Sequence, residues 1–147
     1  MRISVDQTVT AGAYTAGMAV GGKIALPEIV EGSGLKCAIV DALVIDRAGQ
    51  QQPYDLLLFN DDLVGAVVDR QAFNLHDSDR SKLLGFVPLV DISTVGTGGV
   101  LIGRTNLYKR LTLIGRTAYA VLIARGTPTF TGTGDVTVQV TAEQVWA

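Results

Sequence analysis

The sequence predicts an all-β protein, an antiparallel β-sandwich of eight or nine strands with jelly-roll-like or Greek-key connections. Three observations lead to this prediction. Short β-prone runs alternate with breaks rich in Gly, Thr and Pro along the 147 residues. Residues 135–141 alternate strictly between valine and polar residues, the pattern of a half-buried strand. No segment of the sequence carries the 3.6-residue apolar period of a long helix.

The N-terminal segment alternates, with Ile3, Val5 and Val9 on one side and polar residues on the other. This pattern predicts an extended N-terminal arm or an edge strand over residues 1–14, followed by a single β-sandwich domain over residues 15–147. Because the arm is extended and has few core residues, we expect it to contact a partner. The residues expected at that contact are Ile3, Val5, Val9 and Tyr14.

The longest apolar strands lie in the middle of the chain. Residues 35–46 are apolar on both sides apart from Asp41, which is typical of a central strand. Residues 54–60 contain a continuous run of Leu and Phe, and the polar connection before them favours an antiparallel hairpin with residues 35–46. Cys37 lies in the first of these strands, so we expect a buried thiol without a reactive role.

One short helix is predicted near residues 78–84. Asp77 or Ser78 would cap its N terminus, and Gly85 would follow its C terminus. Beyond it, Pro88 indicates an edge strand or a bulge, because proline cannot donate a hydrogen bond to a neighbouring strand. At the far end of the chain, we expect the sole tryptophan, Trp146, to pack against its own core or a neighbour.

His76, Asp77 and Asp79, with Asp61 and Asp62 upstream, are the one candidate for a metal site, since Ca²⁺ prefers carboxylate oxygens. The spacing is not that of a calcium-binding loop, and helix capping explains two of these residues. We therefore expect no metal and no cofactor.

Charge is unevenly distributed along the chain. Residues 41–91 contain nine acids and four bases, whereas residues 92–134 contain five bases and no acid. One interpretation is that acidic and basic strands are neighbours inside one sandwich. The other is a head-to-tail interface, in which the acidic side of one subunit meets the basic side of the next. The residues expected at such an interface are Arg104, Lys109, Arg110, Arg116, Asp61 and Asp62.

Several classes of function are disfavoured. The sequence has one His, one Cys and no Gly-x-Ser-x-Gly turn, so we expect no enzyme. The net charge of −2 argues against a nucleic-acid partner. No apolar run approaches the roughly 18 residues of a membrane span, and no targeting segment is visible. These observations favour a protein that acts through its surfaces.

Several blocks of sequence, read in order, resemble a family of tailed-phage proteins. The blocks are AYTAG at residues 13–17, VGGKI at 20–24, VID at 44–46, DLLLFN at 55–60, AF at 72–73, DSD at 77–79, LLGFV at 83–87, ARGTPT at 124–129 and DVTV at 135–138. Together they cover most of the chain. They are similar to those of β-sandwich decoration (cement) proteins of phage capsids.

This resemblance implies a structural virion protein on the outer surface of the capsid, synthesised in the host cytoplasm. It implies a homotrimer that bridges capsomers of the major capsid protein, and the N-terminal arm then becomes the expected capsid contact. Two alternatives remain open at this point. One is a phage tail or head–tail connector β-protein, and the other is a carbohydrate-binding sandwich module.

Overall fold

The computed structural model describes residues 1–30, 35–96, 99–104 and 107–145. Within them lie twelve strands and one short 3-10 helix, Asp77–Lys82. The strands are β1 Arg2–Gln7, β2 Gly12–Ala13, β3 Ile24–Leu26, β4 Lys36–Asp46, β5 Tyr54–Phe59, β6 Leu83–Leu89, β7 Asp91–Thr94, β8 Val100–Arg104, β9 Lys109–Thr112, β10 Ala118–Ala124, β11 Thr129–Phe130 and β12 Val136–Gln144. The predicted antiparallel β-sandwich is confirmed. The count exceeds eight or nine partly because several strands have only two to four residues.

The large sheet has the order β1-β12-β4-β8-β7, and β9 pairs with β4 beyond the end of β8. All of its strand pairs are antiparallel. Val138, Val44 and Ile102 occupy one register row and point into the core. The apolar run over residues 35–46 therefore predicted the central strand correctly.

The predicted hairpin between residues 35–46 and 54–60 is wrong. β12 occupies one edge of β4, and β8 and β9 occupy the other. With no free edge on β4, the chain crosses to a small sheet of order β3-β10-β5-β6. β5 pairs there with β10 and β6. Leu56, Leu58 and Leu122 close the core from this side.

Residues 60–76, which we call the cover segment, lie against the outer face of the small sheet. Leu63, Val67 and Phe73 of this segment belong to a second apolar cluster with Phe59 and Val121 of the sheet. The cover segment thus buries part of the outer face of the small sheet, although Phe86 of β6 stays exposed, and no described segment covers the large sheet in this way. This difference determines which surfaces are open to a partner.

The 3-10 helix begins and ends differently from the prediction. His76 is the N-cap, and its Nδ1 accepts a hydrogen bond from Ser78 N at 3.1 Å. The C-cap is Leu83, and Gly85 is a residue of β6. The prediction that Asp77 or Ser78 caps the helix and that Gly85 follows it was wrong, because β6 begins directly after Lys82.

The N-terminal residues are integrated into the sandwich. β1 pairs with β12 along its whole length and occupies an edge of the large sheet. Val9 and Tyr14 are buried in the core, where Tyr14 contacts Phe130 edge to face with ring centroids 5.2 Å apart. Their assignment to a capsid contact was wrong, since a side chain without exposed area has no surface to offer. Ile3 and Val5 are half-buried against the same core.

Trp146 lies outside the described residues, so its expected anchoring stays a prediction. Among the residues that are described, no helix has the length and hydropathy needed to cross a membrane.

Candidate interaction surfaces

The outer face of the large sheet contains a depression of about 200 Å³. We call it the outer depression, and its lining includes Asp41, Leu43, Asp91, Ser93, Leu101 and Gly103. These residues come from the adjacent strands β4, β8 and β7 and lie on the face opposite the core. The depression is therefore built on paired strands, which hold its walls in place.

A β-bulge in β4 positions Asp41 on this face. Thr141 pairs with Asp41 and Ala142 pairs with Ile39, so Val40 is the extra residue of β4. On the other edge, β8 ends at the partner of Ala42 and β9 begins at the partner of Ile39. Both ladders of β4 are thus interrupted beside the same carboxylate. Bulges of this kind redirect a side chain and are frequent next to binding sites.

The absence of a side chain at position 103 keeps the depression open between β4 and β7. A Cβ atom on Gly103 would lie 2.9 Å from the Cβ atom of Leu43 and 3.0 Å from the carbonyl oxygen of Ala42. Such contacts are shorter than van der Waals separation, so any larger residue would displace this wall. Glycine at this position allows the neighbouring strand to approach closely.

The outer depression contains a buried polar atom that has no hydrogen-bond partner among the described residues. Asp41 Oδ1 is buried, and it accepts no hydrogen bond from the residues in the described ranges. Asp91, at the start of β7, is exposed and opposes Gly103 in the register. A buried carboxylate oxygen without a donor is unfavourable, because it has lost water without gaining a hydrogen bond. The walls beside it, Leu43 and Leu101, are apolar.

A second surface follows one edge of the sandwich. β6 and β7 are terminal strands of their sheets, and Val90 alone connects them, so their unpaired edges lie on the same side. Apolar side chains between 38% and 56% exposed lie along these strands. We call this surface the apolar edge, and its residues are Leu83, Phe86, Val90, Ile92 and Val95.

The residues predicted for a subunit interface occupy several places. Arg104 ends β8, Lys109 and Arg110 begin β9, and Arg116 lies in the loop before β10. Across the described part of the chain, none of these four makes an ion pair, and the ion pairs found there involve other bases.

Asp61 and Asp62 lie in the turn after β5, away from those bases along the chain. Asp62 forms a salt bridge with Lys23 and accepts a hydrogen bond from Leu63 N at 2.8 Å. Asp61 accepts from Asp62 N at 2.8 Å. The predicted subunit interface stays a prediction, and these two acids already have partners inside their own subunit.

The acidic residues around the 3-10 helix have structural roles. Asp79 accepts hydrogen bonds from Val64 N and Gly65 N, each at 2.9 Å, and pairs with Lys82 at 3.0 Å. These contacts fasten the cover segment to the helix. No group of three His, Cys, Asp or Glu side chains suited to a metal ion occurs within the described residues.

Cys37 is buried, and burial raises the pKa of its thiol to about 11. At neutral pH the sulfur is a protonated thiol and hence a weak nucleophile. This agrees with the expected role as a small apolar core residue.

No protein family model, curated protein or solved structure matches this chain.

Proposed function

We propose that this protein is a non-enzymatic structural protein of a phage virion, which decorates the outer surface of the capsid as a homotrimer. In this role it bridges capsomers of the major capsid protein and stabilises the shell. The sequence blocks between residues 13 and 138 support this proposal by their resemblance to decoration proteins. The β-sandwich, a rigid scaffold with two sheet edges, is compatible with it.

The observation that carries the proposal is the apolar edge. Phe86 and Ile92 are 56% and 42% exposed at positions where the strand edges are also free of partners. Contiguous exposed apolar surface on a folded protein marks a place where another protein binds. Free strand edges add unpaired N–H and C=O groups to that surface. The apolar edge therefore replaces the N-terminal arm as the expected capsid contact.

Three linked subunits make such a surface effective even if each contact is weak. A contact of about 4 kcal/mol corresponds to a millimolar dissociation constant. When three such contacts form on one particle, the second and third are intramolecular, and the combined affinity rises by orders of magnitude.

Quantitative mass spectrometry of purified phage particles tests the location. A decoration protein is expected in hundreds of copies, in a fixed ratio to the major capsid protein. A copy number of about a dozen or fewer would instead favour the tail or connector alternative. Absence from purified particles would contradict both.

Substitutions at the apolar edge test the mode of binding. Phe86→Asp together with Ile92→Asp should abolish sedimentation with capsids, because charge at the centre of the contact opposes its desolvation. Val68→Asp is a matched control, since Val68 is 47% exposed and lies in the cover segment. Unchanged capsid binding by the double variant would contradict the role of the apolar edge.

A further inference from the structure

The chemistry of the outer depression defines what it accepts. Asp41 Oδ1 requires a hydrogen-bond donor, and Asp91 lies on the opposite side of Gly103. Leu43 and Leu101 supply apolar walls. A cation carried on, or next to, an aliphatic group satisfies both requirements, as arginine and lysine side chains do.

A second feature of the same chain has the complementary chemistry. Residues 114–116, Ile-Gly-Arg, form a projecting turn that we call the basic turn. Ile114 is 63% exposed, and a Cβ atom on Gly115 would have no neighbour within 4 Å. Arg116 is exposed and makes no ion pair with any described residue. The turn thus presents an apolar side chain and a free guanidinium together.

The basic turn and the outer depression are separate surfaces. Leu113 N donates to Leu35 O at 2.8 Å, and Val30 N donates to Arg116 O at 3.4 Å. These bonds hold the turn at the end of the sandwich where β4 begins. The depression lies on the sheet face, further along β4. A contact that joins two different surfaces is heterologous, and repetition of it closes a ring when the rotation allows.

We propose that the basic turn of one copy enters the outer depression of the next copy. Arg116 pairs with Asp41 and Asp91, and Ile114 packs against Leu43 and Leu101. The contact brings a cation to the carboxylate of Asp41, whose Oδ1 receives no hydrogen bond from the described residues of its own chain.

This inference specifies the subunit contact of the proposed homotrimer and rests on the proposed function only for the number three. It also changes the acidic half of the interface from Asp61 and Asp62 to Asp41 and Asp91. Arg116 is retained from the bases that the sequence indicated, because it alone among them lies beside an exposed aliphatic side chain in a projecting turn.

Analytical ultracentrifugation with a charge exchange tests the contact. The unmodified protein should sediment as a trimer at micromolar concentration. Arg116→Glu and Asp41→Arg should each weaken association by at least about tenfold, because like charges then meet in the contact. The double variant Arg116→Glu/Asp41→Arg should recover trimer, because opposite charges meet again. Retention of the trimer by Arg116→Glu, or no recovery in a double variant that is folded, would overturn the proposal.

Two controls guard against misfolding and nonspecific charge effects. Asp91→Arg changes an exposed residue of β7 and should also disrupt the trimer, which keeps the test valid if Asp41→Arg fails to fold. Arg80→Glu reverses a base whose side chain is 71% exposed outside the contact, and it should leave the trimer intact. Circular dichroism verifies the fold of every variant.

The outcomes also separate this contact from the proposed function. A trimer that responds to the charge exchange but is absent from virions would contradict the decoration role and retain the contact. If the protein is present in virions but its trimer does not respond to the charge exchange, the decoration role is retained and the proposed contact is contradicted. A monomeric wild-type protein would overturn the contact outright.

Discussion

The outer faces of the two sheets differ in what covers them. Phe59 and Val121 on the small sheet lie beneath the cover segment of the same chain. On the large sheet, Leu43, Ile45 and Leu101 are half-buried and lie among polar neighbours such as Gln139. The chain therefore completes one face by itself and leaves on the other a limited apolar surface that a partner of modest size can cover.

One carboxylate from each region, Asp69 and Asp41, shows a further contrast. Asp69 of the cover segment accepts hydrogen bonds from Thr10 Oγ1 at 2.7 Å, from Tyr14 Oη at 2.7 Å and from Gly21 N at 2.7 Å. Asp41 on the large sheet has a buried oxygen that receives none from the described residues. Internal stability explains the first arrangement, whereas the second is a carboxylate that the proposed contact between copies would supply with a cation.

Truncation of one apolar residue on each outer face should give the largest difference. Phe59→Ala should lower the free energy of unfolding by about 3–5 kcal/mol, because it leaves a cavity beneath the cover segment. Leu43→Ala should cost about 1 kcal/mol or less in the monomer, because Leu43 is on the outer face of the large sheet and is only partly buried. Urea denaturation followed by circular dichroism measures both. Equal losses would show that the two faces do not differ in this way.

A pair of buried tyrosines tests how the cover segment is held. Tyr14→Phe removes the hydroxyl that bonds Asp69 and also accepts from Thr10 N at 2.9 Å. The expected loss is about 1.5–3 kcal/mol, the range for hydrogen bonds to charged groups. Tyr54→Phe is the matched control, since the buried hydroxyl of Tyr54 has no hydrogen-bond partner among the described residues. Its unfolding free energy should stay the same or rise.

Acid should weaken the attachment of the cover segment, because it protonates the carboxylate of Asp79. We expect this effect to be smaller than those of the substitutions above. Burial by itself would raise the pKa of this carboxyl, but hydrogen bonds from Val64 N, Gly65 N and Lys82 outweigh burial and lower the pKa from 3.8 to about 2. A lowered pKa stabilises the fold above the ordinary value, and the contribution is lost as the pH falls from 3.8 through about 2.

The protection factors of the Val64 and Gly65 amides against hydrogen exchange, measured by NMR and corrected for the intrinsic rate at each pH, should fall over that range of pH. Asp79→Asn should exchange faster at neutral pH and show a smaller acid response. Asp77→Asn is the control, because Asp77 is exposed and pairs only with Arg80 among the described residues. Protection that does not change down to pH 2 would exclude the role of Asp79.

Local sequence patterns predicted where the strands lie better than they predicted which strands pair. The apolar run over residues 35–46 and the alternation over residues 135–141 both correspond to strands of the large sheet. The hairpin failed because proximity in sequence was taken for pairing, while β12 lay nearly a hundred residues further along. Which strands pair with each edge of a given strand depends on the whole chain and not on its sequence neighbours.

The candidate site left a partial signal in the sequence. Asp41 is the one charged residue between the two ends of β4, Lys36 and Asp46, and it lies at the outer depression. Nothing in the sequence around Asp91 and Gly103 indicates this site, because only the strand register places these residues beside the outer depression. Tyr14 was misassigned for a similar reason: its partners, Asp69 and Phe130, lie 55 and 116 positions away, and no local pattern announces them.

The pairing of β1 with β12 also constrains how the molecule is made. Thr137 Oγ1 donates to Asp6 Oδ1 across 131 positions of sequence, and the strand that carries Thr137 separates β1 from β4. During translation, the first strand emerges from the ribosome long before its neighbour exists, and β4 keeps an open edge for the same interval. The nascent chain must keep β1 and β4 from pairing with other strands until β12 has emerged, because such distant contacts form slowly and leave apolar surface exposed meanwhile.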